Sequence, residues 1–158
     1  MRRFLPRVAA FAAIQLAIAA LFAAAYRPDP RHFFAGTHDK HALLEASPSP
    51  RLVLVGGSNV PFSIASDTLA ARLPYPPIDM GLHAGLGAGF VLAEVRDQLR
   101  AGDVVVLSLE FEQFAMISQP EIVLRLLYAR PQSVRFVPLD FWPGLLDYGL
   151  SYAGIVVR

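Results

Sequence analysis

The pattern of hydrophobic and polar positions divides the chain into three parts. Val8 to Tyr26 is almost wholly apolar, with Gln15 the one strong exception. A helix of that length can cross the hydrocarbon core of a bilayer. Arg27 to Pro50 breaks the run with prolines and polar groups and reads as a linker, whose end, Ser47-Pro48-Ser49-Pro50, is extended and semi-rigid. From Arg51 onward, short apolar runs rich in β-formers alternate with helical periods. Leu52-Val53-Leu54-Val55, Ile78-Asp79-Met80 and Val104 to Leu109 predict three strands. Helices are expected over Ile64 to Leu73, with Ser63 or Ser66 as N-cap, and from about Phe90 to Arg100. Another is expected over Pro120 to Arg130, with Pro120 suited to its first turn and Pro131 just past its end. The tail from Gln132 to Arg158 carries Phe136, Phe141, Trp142, Tyr148 and Tyr152. It predicts a helical segment packed on the sheet or on a membrane surface. The expected organisation is therefore an anchor or signal over 1–26, a linker over 27–50 and an α/β domain over 51–158.

Strands alternating with helices imply a parallel sheet, which gathers the strands' C-terminal ends on one edge. The first strand ends in Gly56-Gly57-Ser58-Asn59. The second opens into Gly81-Leu82-His83-Ala84-Gly85-Leu86-Gly87-Ala88-Gly89. The third ends in Glu110-Phe111-Glu112-Gln113. The glycines permit sharp turns and close backbone approach. Ser58, the glycine loop and the two glutamates are thus expected to converge. On the local pattern alone, Ser58 has a plainer role as the cap of the next helix.

With these residues in place, the stretch from Arg51 to Phe114 resembles the SGNH (GDSL-like) hydrolase superfamily, in particular a divergent, membrane-anchored branch found beside polysaccharide genes. Gly56-Gly57-Ser58-Asn59 is similar to the family's first block, whose serine is the nucleophile. Asp79 to Gly85 is similar to the second, in which a loop glycine gives an N–H to the oxyanion hole. Gly85 matches that glycine, and a one-residue gap would move the match to Ala84. The third block, Gly-x-Asn-Asp, falls on Leu109-Glu110-Phe111-Glu112, so Phe111 stands where the oxyanion asparagine belongs. The fifth block, Asp-x-x-His near the C-terminus, has no counterpart, because no histidine lies beyond His83. Asp29-Pro30-Arg31-His32 has the spacing but precedes the first strand, the wrong order for the family. The resemblance implies a partial three-layer, flavodoxin-like parallel sheet of SGNH type behind one N-terminal transmembrane helix. The missing block and the count of three strands lead to the expectation that this is the front part of a longer protein.

A serine hydroxyl is a weak nucleophile until a base takes its proton, and the oxyanion needs preorganised donors. The candidate catalytic residues are Ser58 and Gly85, with the N–H groups of both as oxyanion donors and the Gln113 side chain as a further one. Gly57, Asn59, His83 and Glu110 are expected to line the pocket. His83 either points toward Ser58 as a base or packs and hydrogen-bonds locally. Glu110 and Glu112 share a face only if the strand continues through both.

Composition narrows the remaining classes. The 158 residues carry a net charge of +1, which implies no nucleic-acid partner. The absence of cysteine removes thiolate metal ligands. His38 and His41 lie three apart, but no carboxylate pattern completes a zinc site, even with Asp39 between them. The glycine loop fails the dinucleotide fingerprint, because its third glycine would fall on Phe90. No Gly-Lys-Ser/Thr occurs, which excludes a P-loop. No cofactor is called for.

Arg2, Arg3 and Arg7 precede the apolar run and favour a cytoplasmic N-terminus. The expected setting is a single pass through the inner membrane, with the domain on the periplasmic or outer side and the lipid bilayer as a partner. Ala23-Ala24-Ala25 offers a signal-peptidase site, yet the run is long for a cleaved signal, which favours an anchor. The resemblance implies an esterase, acyl hydrolase or acyltransferase with an acylated extracytoplasmic glycan as substrate. The alternative is a non-catalytic anchored scaffold that kept the sheet and lost the chemistry. The oligomeric state is not written in this pattern.

Overall fold

The computed structural model describes residues 4–25, 31–115 and 119–156 of the chain. It is a mixed α/β structure with one small parallel sheet and one N-terminal apolar helix. That helix, α1 (Phe4–Ala25), has 22 residues, a length of about 33 Å at the α-helical rise. Its stretch Phe4–Leu21 is long and apolar enough to cross a membrane, and none of it is buried against the rest of the protein. The boundary expected at 26–27 lies outside the described residues.

The expected linker is largely folded. A 3₁₀ turn over Phe33–Ala35 leads into α2 (Gly36–Ala46). Phe34, Thr37, His41 and Leu44 are buried, at spacings of three and four. That is the stripe of a helix facing a core, hidden from hydropathy because two of its members are threonine and histidine. The His41 Nε2–H donates to the Glu94 carboxylate at 2.8 Å, with both side chains almost fully buried. His38 turns elsewhere, its Nε2 bonding to the Ala129 carbonyl at 2.9 Å.

The sheet consists of β1 (Leu52–Gly56), β2 (Pro77–Asp79) and β3 (Val104–Ser108), all parallel, in the order β2-β1-β3. Val53 pairs with Ile78 and Val105, and Gly56 pairs with Ser108. β1 is central and buried at every position, as its unbroken apolar run predicts. Between β1 and β2 lie α3 (Asn59–Ser63) and α4 (Ser66–Arg72). The single helix expected over 64–73 is thus shorter and begins after a break at Ile64–Ala65, and neither expected serine caps it, since the N-cap is Ala65. Between β2 and β3 lies α5 (Ala88–Arg96). Beyond β3 come α6 (Phe111–Phe114), α7 (Pro120–Ala129) and α8 (Trp142–Val156). α7 matches its expected span, with Pro120 in the first turn.

The pleat sorts side chains onto two faces. Val53, Val55 and Ile78 join Leu44 of α2, Phe90, Val91 and Val95 of α5, Leu126 of α7 and Leu145 of α8 in one continuous core. Leu52 and Leu54 face the other way and meet Val60, Ile64, Leu69 and Tyr75. Helices therefore cover both faces of β1. β3 is less protected, with Val104, Val106 and Leu107 all exposed.

At the N-terminal edge of the sheet, Arg51 is completely buried. Its backbone N–H and its Nε–H both donate to the Asp103 carboxylate, at 3.3 and 3.1 Å. Its Nη1 donates to the Leu44 and Ser47 carbonyls at the end of α2, and its Nη2 to the Gln98 carbonyl just past α5. Burial by itself would raise the Asp103 carboxyl. The Ser49 hydroxyl, the Arg100 N–H and Arg51, through its hydrogen bond and its charge, outweigh it and hold the group below its ordinary value of 3.8.

Arg51→Met would leave the Asp103 carboxylate unpaired in a dry site. We expect a loss of about 3–5 kcal/mol in urea unfolding of the full chain in detergent, followed by Trp142 fluorescence. The depressed Asp103 carboxyl carries a defined pH dependence. Its contribution is fully present above about pH 4 and is lost as the pH falls through the lower folded value. The stability gap between wild type and Asp103→Asn should therefore shrink as the pH is lowered from about 6 to about 2. A gap that stays constant across that range would show that the charge of Asp103 contributes nothing.

Candidate functional site

The C-terminal ends of the three strands do meet. β1 ends at Gly56, the chain turns at Gly57, and Ser58 occupies the N-cap position of α3. Its hydroxyl makes no capping bond. It donates instead to Oε1 of Glu110, at 3.2 Å across the sheet edge. The same oxygen accepts the Asn59 N–H at 3.1 Å.

Glu110 is held for this task by its own helix. It is the N-cap of α6, where its side chain accepts the Gln113 N–H while its backbone N–H donates to the Gln113 Oε1 at 3.0 Å. This reciprocal capping box fixes the carboxylate before it reaches Ser58. β3 stops at Ser108, so Glu110 and Glu112 do not share a strand face; Glu112 is exposed on α6. Gln113 is fully buried, and its Nε2 has no hydrogen-bond partner among the described residues. The Asn59 amide turns inward, donating from Nδ2 to the carbonyl and the hydroxyl of Ser108 at 3.0 and 2.9 Å.

Gly57 is what lets these groups approach. A Cβ at this position would lie 2.1 Å from Glu110 Oε1 and 3.0 Å from the Ala84 nitrogen, so only hydrogen fits. Gly81 answers from the β2 side, where a Cβ would stand 2.8 Å from the Gly57 carbonyl oxygen. The start of the glycine loop is thereby laid directly on the β1 turn. Asp79 supports that loop by accepting the Gly81 N–H at 2.8 Å, and Lys40 of α2 holds the Asp79 carboxylate at 2.8 Å.

The rest of the loop departs from expectation. The Gly85 N–H, assigned above to an oxyanion, donates to Nδ1 of His83 at 2.9 Å. With Nδ1 accepting, the neutral ring carries its proton on Nε2. Neither nitrogen is then ready to receive the Ser58 proton. Ser58, Gly57, Asn59 and Glu110 are thus brought together, whereas His83 and Gly85 satisfy one another. Ala84, the one-residue alternative to Gly85, has its amide beside Gly57. Phe111 is turned out to solvent. The role of Ser108 was not visible in sequence. That of Gln113 had one local signal, a Glu and a Gln three residues apart at a strand end.

The chain was compared with family models, with curated proteins and with solved structures. It matches none of them. The arrangement therefore has to be judged on its chemistry. A hydroxyl stands beside a carboxylate fixed on a separate element, at the open edge of a parallel sheet. That pairing can polarise the hydroxyl, accept its proton, or simply lock the β1 turn to α6.

Gly57→Ala should destabilise the full chain by about 1–3 kcal/mol. Most of the loss should disappear in a Glu110→Ala background, because the clashing carboxylate is gone. A double-mutant cycle by urea unfolding that shows strict additivity would separate Gly57 from Glu110.

Proposed function

We propose that the protein is a membrane-anchored serine acyl hydrolase or acyltransferase of SGNH-like type. The supporting observation is the bond from the Ser58 hydroxyl to Glu110, a carboxylate placed by its capping box where β1 and β3 end. The strand order β2-β1-β3, with helices on both faces of β1, agrees with the beginning of a flavodoxin-like sheet. The motif resemblance over Arg51 to Phe114 points the same way. α1 is the anchor; the arginines ahead of it orient the domain to the periplasmic or outer side of the inner membrane.

In this reading Ser58 is the nucleophile and Glu110 its proton acceptor. As Oγ attacks an acyl carbonyl, its proton passes to Glu110. The tetrahedral intermediate then collapses, and the departing alkoxide takes that proton back. Water, or an acceptor hydroxyl for acyl transfer, attacks the acyl-serine and gives its proton to Glu110 in turn, and Oγ recovers it on leaving. The backbone N–H of Ser58 and that of Ala84, beside Gly57, are the candidate oxyanion donors. An O-acylated extracytoplasmic glycan is the substrate class suggested by the resemblance.

One observation favours a second reading, a non-catalytic anchored scaffold. His83 and Gly85, the groups that would complete a serine-hydrolase site, are engaged with each other.

A fluorophosphonate probe on the full chain in detergent micelles separates the two. Wild type should be labelled and Ser58→Ala should not, with Glu110→Gln slower by about 10²–10⁴-fold. Equal labelling of wild type and Ser58→Ala would reject the hydrolase and leave the scaffold.

A further inference from the structure

The site is bordered by exposed phenylalanines. Phe62 is 74% exposed, Phe111 78% and Phe114 71%, and Phe33 is 41% exposed. Phe62 lies on α3, the helix that Ser58 begins, and its N–H bonds back to the Ser58 carbonyl. Phe111 and Phe114 lie on α6, the helix that Glu110 caps. At a spacing of three they share a face, and Glu112 projects from a different one. Phe33 stacks on Phe62, with ring centroids 6.0 Å apart and planes 17° from parallel. Four large apolar side chains in water around one site form the kind of patch that marks a contact surface.

The chain itself indicates what covers them. Phe33 is the eighth residue after Ala25, the last of α1. Even a fully extended tether could not carry Phe33 more than about 28 Å from the end of that helix. The exposed rings therefore begin where the chain leaves the anchor, and Phe62 continues the patch toward Ser58. We propose that Phe33, Phe62, Phe111 and Phe114 seat the site-bearing edge of the sheet on the surface of the bilayer in which α1 is anchored. Ser58 and Glu110 then open toward the membrane surface, and the acyl groups they meet belong to molecules held at that surface. This inference rests on the reading of α1 as an uncleaved anchor.

The chain contains no cysteine, so single cysteines report cleanly. Ile14→Cys, Phe62→Cys, Asp97→Cys and Phe111→Cys each carry a nitroxide, in full-length protein reconstituted into phosphatidylcholine–phosphatidylglycerol vesicles. Power-saturation electron paramagnetic resonance compares access of oxygen, which partitions into lipid, with access of a water-soluble nickel complex. Labels at 14, 62 and 111 should gain oxygen access and lose nickel access, and the label at 97, at the end of α5 toward the opposite sheet edge, should keep nickel access. Nickel access at 62 and 111 equal to that at 97, with 14 in lipid, overturns the docking and leaves the anchor standing. Shielding of 62 and 111 from both reagents, with dipolar broadening between labels, would place a second copy on the patch and likewise overturns it. A label at 14 in water removes the anchor and this inference with it.

Discussion

The structure depends on a buried charge pair at the base of its sheet. Arg51 and Asp103 sit at the starts of β1 and β3, both removed from water. A lone buried ion would cost several kcal/mol, so the pair is tolerated only because its hydrogen-bonding capacity is met. Arg51 meets it by taking carbonyls from the ends of α2 and α5 as well as the carboxylate of Asp103. One guanidinium thereby sets the height of two helices and the register of two strands. The β1–β3 register in turn decides which residues meet at the far edge, where Gly56 lies opposite Ser108.

That far edge is organised by close approach. Gly57 and Gly81 remove the side chains that would keep the strand ends apart, and Glu110 fills the space released. Its carboxylate is bound by donors from two separate elements: Gln113 of α6 on one side, Ser58 and Asn59 of α3 on the other. The geometry serves chemistry or structure equally well at rest. What distinguishes them is whether the hydroxyl can leave its proton behind, which is a matter of reactivity.

The two ends of the sheet differ in exposure as well as in charge. At the Arg51 end the ion pair is buried and hydrogen-bonded. At the Ser58 end, half-buried polar groups are surrounded by exposed rings on α3 and α6. This edge follows α1, a helix long and apolar enough to cross a membrane, by a short stretch of chain.

Much of this was legible in sequence. The strands announced themselves as apolar runs of β-formers, and α7 by its flanking prolines. Ser58, Gly57, Asn59 and Glu110 were marked by their places at strand ends, because a parallel sheet gathers those ends by topology alone. Hydropathy failed at α2, where threonine and histidine occupy core positions by virtue of partners such as Glu94, far off in sequence. It also gave no sign that Arg51 would be buried, since a charged residue is hidden only when distant carbonyls and a carboxylate are present to receive it. The pairing of His83 with Gly85, in place of Ser58, was likewise decided by how the glycine loop folds. Local pattern determined the elements and the order in which they follow. Which polar groups satisfy one another was left to tertiary structure, because hydrogen bonds and ion pairs form between groups that only packing brings within reach.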